Sequence, residues 1–232
     1  MTKDTPRSGR RAEAIAAAIP ADAQAVAEVG CDRGLVLDAI LRGHPYIRIV
    51  GTDRLAGPVA LVPPEIAARV ELRVGEGFHA LTPREVDGVV IAGMSAKTIV
   101  AILSERPEIT RDLAWLVLCP SHFEDELRAG LTTLGWHPAN EWLVFDRGRF
   151  YEVILARPGA DPAAPDPVAA RWGPRLLEST DPAVLRAWLA DTRHRFREAF
   201  AAGLRKSRVG GKLASIAEVE HRVAPRAAAC RG

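Results

Sequence analysis

Along the first two-thirds of the chain, short apolar runs alternate with longer stretches whose apolar residues recur every three or four positions. The short runs are residues 25–29, 47–52, 70–74, 86–92 and 113–118, and Val89-Val90-Ile91 is apolar without a break. Such runs predict strands buried on both faces of a parallel sheet. Residues 12–19, 35–41, 59–68, 96–103 and 123–134 read as helices, with Pro20 ending the first and Pro63-Pro64 interrupting the third. Two further strands, 142–145 and 151–156, flank the turn Asp146-Arg147-Gly148-Arg149. This alternation predicts a doubly wound α/β domain, its sheet mostly parallel with a terminal antiparallel hairpin.

The pattern changes at residues 157–167, where five prolines and glycines in Arg157-Pro158-Gly159 through Pro167 resist both helix and strand. The predicted division is a first domain over 1–157, a proline-rich linker over 158–167 and a helical tail over 168–232. In the tail, Val184, Leu185, Trp188, Leu189, Phe196 and Phe200 form one helical stripe. Leu213, Ile216, Val219 and Val223 form a second after Gly210-Gly211, which predicts a C-terminal α-helical hairpin.

Composition narrows the class. A hydrophobic fraction of 48% with 26% charged residues is that of an ordinary globular chain. No apolar run approaches the roughly 20 residues that span a bilayer, and the polar, basic start lacks a secretory pattern, so a cytosolic protein without membrane contact is expected. Cys31, Cys119 and Cys230 form no CxxC pair, and the six histidines are scattered, so no metal site is expected. Ser121-His122 lacks the G-x-S-x-G surroundings of a hydrolase. The net charge of +2 divides into +3 over residues 1–11, +7 over 186–232 and −8 between them. Basic ends on a nearly neutral chain suggest a polyanionic partner.

Four glycine-bearing or acidic segments fall at predicted strand ends, where open α/β sheets bind ligands. They are Glu28-Val29-Gly30-Cys31-Asp32-Arg33-Gly34, Asp53-Arg54, Gly75-Glu76-Gly77 and Gly93-Met94-Ser95. The first lacks the G-x-G-x-x-G of dinucleotide enzymes and differs by one residue from the E-x-G-x-G-x-G of S-adenosylmethionine methyltransferases, so the expected cofactor is S-adenosylmethionine rather than NAD. Gly30 and Gly34 permit close backbone approach, Asp32 can accept from the methionyl ammonium, Asp53 from the ribose hydroxyls and Glu76 from the adenine amine. Glu28, Cys31, Arg54, Gly77 and Gly93 complete the predicted cofactor contacts.

With these residues placed, the chain resembles the TrmK family of bacterial tRNA (adenine-22-N1)-methyltransferases along nearly its whole length. Arg10-Arg11 with Ile19-Pro20 is similar to the family's opening helix, Val29-Gly30-Cys31-Asp32 to its first motif and Arg73-Val74-Gly75-Glu76-Gly77 to its R-x-G-D-G segment. Ile91-Ala92-Gly93-Met94 matches its I-A-G-M, Pro120 falls in its Q-P-N segment, and Phe150-Tyr151-Glu152-Val153 is similar to its Y-E-V strand. The resemblance implies a Rossmann-like class I fold and methyl transfer from S-adenosylmethionine to N1 of an adenine in the D-loop region of tRNA. Gly93, Met94, Ser95 and Ser121 become candidates for the base pocket, with no general base identified. Arg7, Arg10, Arg11, Arg193, Arg197, Arg205, Lys206, Arg208 and Lys212 become candidate RNA contacts, and a monomer or weak dimer is expected. The chain departs from the family at Ser95-Ala96, where G-G is usual, and at Cys119-Pro120-Ser121 in place of Q-P-N. Both changes fall on the presumed substrate side, which leaves open another methyl acceptor, RNA or small molecule, or a non-catalytic RNA-binding relative.

Overall fold

The computed structural model describes residues 9–202 and 213–222. Strands β1 (Ala25–Val29), β2 (Arg48–Asp53), β3 (Glu71–Val74), β4 (Gly88–Ala92) and β5 (Trp115–Cys119) run parallel, and β6 (Trp136–Asp146) and β7 (Arg149–Pro158) form the closing hairpin. Their order is β3-β2-β1-β4-β5-β7-β6, with β7 antiparallel to β5. The direction of winding reverses between β1 and β4, so the crevice beyond their carboxyl ends is the natural ligand position of this Rossmann-like sheet.

The unbroken apolar strands serve two cores at once. Val26, Ile49, Val90 and Val117 bury against α1 (Arg10–Ala17) and α2 (Leu35–Gly43). Ala27, Val50, Val89, Ile91 and Leu116 bury on the other face against α5 (Ala96–Glu105) and α7 (Glu124–Thr133). Gly88 stands opposite Trp115 in register, and a Cβ at Gly88 would collide with the indole, so glycine is what lets Trp115 lie on the sheet. The hairpin turns at Arg147 and Gly148, both left-handed at φ 48° and 81°, as a tight two-residue connection requires.

Two expectations shift. Residues 59–68 form α3 (Ala56–Ala60) and α4 (Pro64–Ala67) rather than one interrupted helix, because proline cannot continue a helix but starts one well. Strand β6 begins at Trp136 rather than residue 142; Pro138 is accommodated because it sits on the sheet's edge beside a bulge between Pro138 and Asn140, where a missing N–H is tolerated.

After β7 come α8 (Pro167–Trp172), α9 (Pro174–Ser179) and α10 (Pro182–Ala201), with α6 (Pro107–Thr110) earlier in the chain, and residues 213–222 are also helical. The C-terminal helical pair is thus preceded by two short helices, each opened by a proline. Trp172, Leu176, Leu185, Trp188, Leu189, Ile216 and Val219 form a third core against Leu143 and Phe150 of the hairpin. Val184 and Phe200 are exposed, because the buried stripe runs through Leu185, Leu189 and Thr192 instead. Val223 and Gly210-Gly211 lie outside the described residues.

A buried ionic cluster joins tail to sheet. Arg128 of α7 donates to Glu141 (2.6 Å), to Glu152 (2.6 Å) and to the Arg171 carbonyl (3.2 Å), while Glu141 accepts from the Arg175 amide (2.9 Å). Burial lifts the Glu152 carboxyl to about 7, although Arg128 opposes the rise. Asp161 in the proline-rich segment accepts from Arg175 (2.6 Å), and Asp166 caps α8 while pairing with Arg222 (2.6 Å).

Candidate cofactor and substrate site

The turn after β1 is built from main-chain bonds. The Thr52 carbonyl accepts from the amides of both Gly30 (2.7 Å) and Cys31 (2.9 Å), binding the turn to β2. Asp53 then accepts from the Asp32 amide (3.1 Å) through one oxygen and from the Leu55 amide (3.0 Å) through the other. These donors are already engaged, so the turn offers a ligand space rather than N–H groups. Asp32 holds a left-handed φ of 46°, a conformation that costs most residues but that aspartate tolerates, at the position where the methyltransferase pattern has glycine. Its side chain is exposed and lies 3.6 Å from Arg33.

Two cavities open on this turn and share Gly30, Asp53 and Met94. The larger, about 720 Å³, is lined by Arg54, Gly75, Glu76, Gly77, Thr98 and Ile102. The smaller, about 340 Å³, is lined by Arg11, Glu28, Cys31, Asp32, Ala92 and Gly93. A Cβ at Gly30 would strike the Met94 methyl group, so the glycine is what allows Met94 to cross the boundary between them. Gly34 lines neither cavity; it starts α2 and packs on Val62.

Glu28 is the electrostatic oddity. It is 3% exposed, and one carboxylate oxygen has no hydrogen-bond partner. Burial pushes its pKa well above the usual carboxylate range, against the opposing pull of the Leu37 amide and of Arg11. An unpartnered acceptor beside a cavity leaves a hydrogen bond open to a donor there. Burial likewise raises the Cys31 and Cys119 thiols to about 12, so neither serves as a nucleophile at neutral pH.

On the far side, main-chain bonds draw β4 and β5 ends together: Gly93 donates to the Cys119 carbonyl (2.9 Å) and Ser121 to the Met94 carbonyl (2.8 Å). Ser121 Oγ lies 2.8 Å from His122 Nδ1. Ser95, a candidate for base contact, uses its hydroxyl as the N-cap of α5, accepting from Thr98 at 3.1 Å. No group of three or more metal-ligating side chains occurs among the described residues, and no helix among them is long and apolar enough to cross a membrane.

A family model described as a methyltransferase domain matches residues 8–154, which contain every residue named at this crevice. The chain belongs to that family. The methyltransferase also resembles three solved structures closely in shape and weakly in sequence. Streptococcus pneumoniae Sp1610, a candidate tRNA (m1A22) methyltransferase in complex with S-adenosyl-L-methionine, superposes with a TM-score of 0.76 at 24% identity, covering 91% of this chain and 98% of that one. The Bacillus subtilis m1A22 tRNA methyltransferase TrmK gives 0.70 at 22%, over 94% and 97%. Mycoplasma capricolum TrmK with S-adenosyl-homocysteine gives 0.75 at 12%, over 92% and 97%. These likenesses establish a shared fold that includes the helical tail. No curated protein matches the sequence.

The methyltransferase arranges its cations differently from the sequence expectation. Arg11 is no outlying surface charge: it lines the smaller cavity and sits 5.0 Å from the centre of the Tyr151 ring. Arg10 and Arg197 are exposed, whereas Arg193 is ion-paired with Glu220. Arg7, Arg205, Lys206, Arg208 and Lys212 lie outside the described residues. Sequence reasoning missed Tyr151 and Arg149 as site residues; they meet Arg11 and Ser121 only through the fold, although Tyr151 lies in the Y-E-V segment and Arg149 in the predicted hairpin turn.

Proposed function

We propose that this methyltransferase binds S-adenosylmethionine across the two joined cavities and methylates N1 of an adenine in the D-loop region of tRNA. One observation carries the reading. Arg11 and the orphaned carboxylate of Glu28 share the smaller cavity, a pairing that suits an α-amino-acid zwitterion, while Asp53 and Glu76 stand along the larger one as acceptors for ribose hydroxyls and an adenine amine.

Bound S-adenosylmethionine supplies a methyl group already activated on a sulfonium, so the residues contribute alignment rather than proton transfer. Glu28 receives the ammonium and Arg11 the carboxylate. Asp53, braced by the Asp32 and Leu55 amides, keeps lone pairs for the ribose. Gly93, Met94 and Ser121 border the target base, and Ser95 fixes where α5 begins. A base within folded RNA leaves its stack to enter such a crevice. Likeness to TrmK structures along more than nine-tenths of the chain, tail included, supports tRNA as the acceptor and the cytoplasm as the location.

Purified protein, labelled S-adenosylmethionine and two tRNA transcripts, with and without adenine at position 22, test the reading. Label in the first transcript only is expected; equal labelling or none rejects it. A second acceptor, another RNA or a small molecule, is favoured by Ser95-Ala96 and Cys119-Pro120-Ser121. Nucleoside analysis of bulk RNA after incubation separates the two, because a small-molecule enzyme leaves that RNA unchanged.

A further inference from the structure

Several arginines among the described residues are neutralised where they stand. Arg48, Arg73, Arg106, Arg128, Arg175 and Arg222 each hold at least one carboxylate. Arg149 is different. It opens β7 and is held from two directions: its Nη2 donates to the Ser121 carbonyl at 2.9 Å, and its guanidinium lies 4.5 Å from the centre of the Tyr151 ring. No carboxylate pairs with it among the described residues. A guanidinium fixed by a ring and a carbonyl, with its charge uncommitted, is a preorganised anion receptor, because little side-chain entropy remains to be lost on binding.

Position narrows the anion. Ser121 is tied to Met94 by its amide, so Arg149 stands at the β5 end of the crevice, outside both cavities. Arg11, on the same tyrosine, lines the smaller cavity and is matched there to the cofactor's carboxylate. One aromatic ring therefore supports two cations that serve different ligands. We propose that Arg149, held by Tyr151 and the Ser121 carbonyl, is the seat for a phosphodiester next to the nucleotide being methylated. This rests on the reading of the acceptor as RNA. Arg149 is a positioning residue: it fixes the strand so that one base reaches the crevice, and it takes no part in the transfer.

The test is a salt series of binding to a tRNA transcript, read by fluorescence anisotropy, beside calorimetry with S-adenosylmethionine. Arg149→Gln is expected to weaken transcript binding about tenfold and to lower the slope of log affinity against log salt by about one, the signature of one lost phosphate contact. Cofactor affinity is expected to hold, and the KM for tRNA to rise more than kcat falls. Arg149→Lys retains charge and is expected to retain most of the slope; Tyr151→Leu, which frees the guanidinium, is expected to weaken binding with the slope kept. An unchanged slope in Arg149→Gln, or an equal loss of cofactor affinity, overturns the seat. If the wild type methylates tRNA while Arg149→Gln binds normally, the seat fails and the enzymatic reading stands. If the wild type binds transcript with the Arg149-dependent slope yet transfers no methyl group, the enzymatic reading fails and Arg149 stands as an RNA phosphate contact without a methylated neighbour.

Discussion

Main-chain bonds hold both halves of the crevice, but only one half adds side chains from distant parts of the fold. The half formed by β1, β2 and β3 is a matter of local main-chain geometry: the Thr52 carbonyl gathers two amides and Asp53 gathers two more. The half formed by β4, β5 and β7 has its own main-chain bonds, Gly93 to Cys119 and Ser121 to Met94, and depends besides on distant side chains, with Arg149 reaching Ser121 and Arg128 joining Glu141, Glu152 and the tail. A site made of turns tolerates change elsewhere, whereas a site made of long-range contacts depends on the whole fold. Damage to each half should therefore read out differently.

The largest effect is expected at Arg128. Removing one partner of a buried ion cluster leaves charges without compensation, so Arg128→Ala should cost about 3–5 kcal/mol of stability. Glu152 has its carboxyl raised to about 7 in the fold, against 4.5 as its reference, so its favourable contribution is present below 4.5, declines between the two values and is gone above 7. Without Arg128 this decline should steepen, which denaturant unfolding at pH 5 and pH 8 measures. Equal losses at both values would show that the cluster is not electrostatic in its effect.

Next is Asp53→Ala, expected to lower S-adenosylmethionine affinity by about 10- to 100-fold, since it removes a charged acceptor and also releases the Asp32 and Leu55 amides. Tail stability, followed by Trp172 and Trp188 fluorescence, should stay unchanged. A concerted loss of both would erase the distinction between the halves.

A pH series sharpens the cofactor half. Burial raises Glu28, and an incoming ammonium favours its ionised form, so binding releases a proton. Affinity should rise with pH up to the raised pKa and level off above it, and Glu28→Gln should flatten the profile. The smallest effect is expected at Asp32→Gly, which relieves a left-handed aspartate and should add about 1 kcal/mol of stability. A simultaneous drop in cofactor affinity would identify the Asp32 carboxylate as a ligand contact; none would make it a residue of the turn alone.

This contrast also explains what the sequence disclosed. The strand at Ala25–Val29 and the acid at Asp53 were legible because apolar run, glycine turn and following carboxylate are neighbours in sequence. Strand β6 extends back beyond the predicted 142–145 to Trp136, since Pro138 is accommodated at the sheet's edge, a position that its sequence neighbours do not disclose. Arg11 looked like one of several basic residues near a chain end; only the packing of α1 beside the sheet brings it to Glu28 and Tyr151. Ser95 carried a substrate role in sequence and a capping role in structure, since a hydroxyl before a helix serves either.

The most direct measurement is a calorimetric titration of S-adenosylmethionine into the wild type, Glu28→Ala and Arg149→Gln. Binding by the wild type, its loss by at least about 100-fold in Glu28→Ala and its retention in Arg149→Gln are the expected results, because an orphaned buried carboxylate facing an ammonium is worth several kcal/mol of charge-assisted bonding. Absence of binding in the wild type, or equal affinity in Glu28→Ala, would contradict the assignment of the crevice as a zwitterionic cofactor's site.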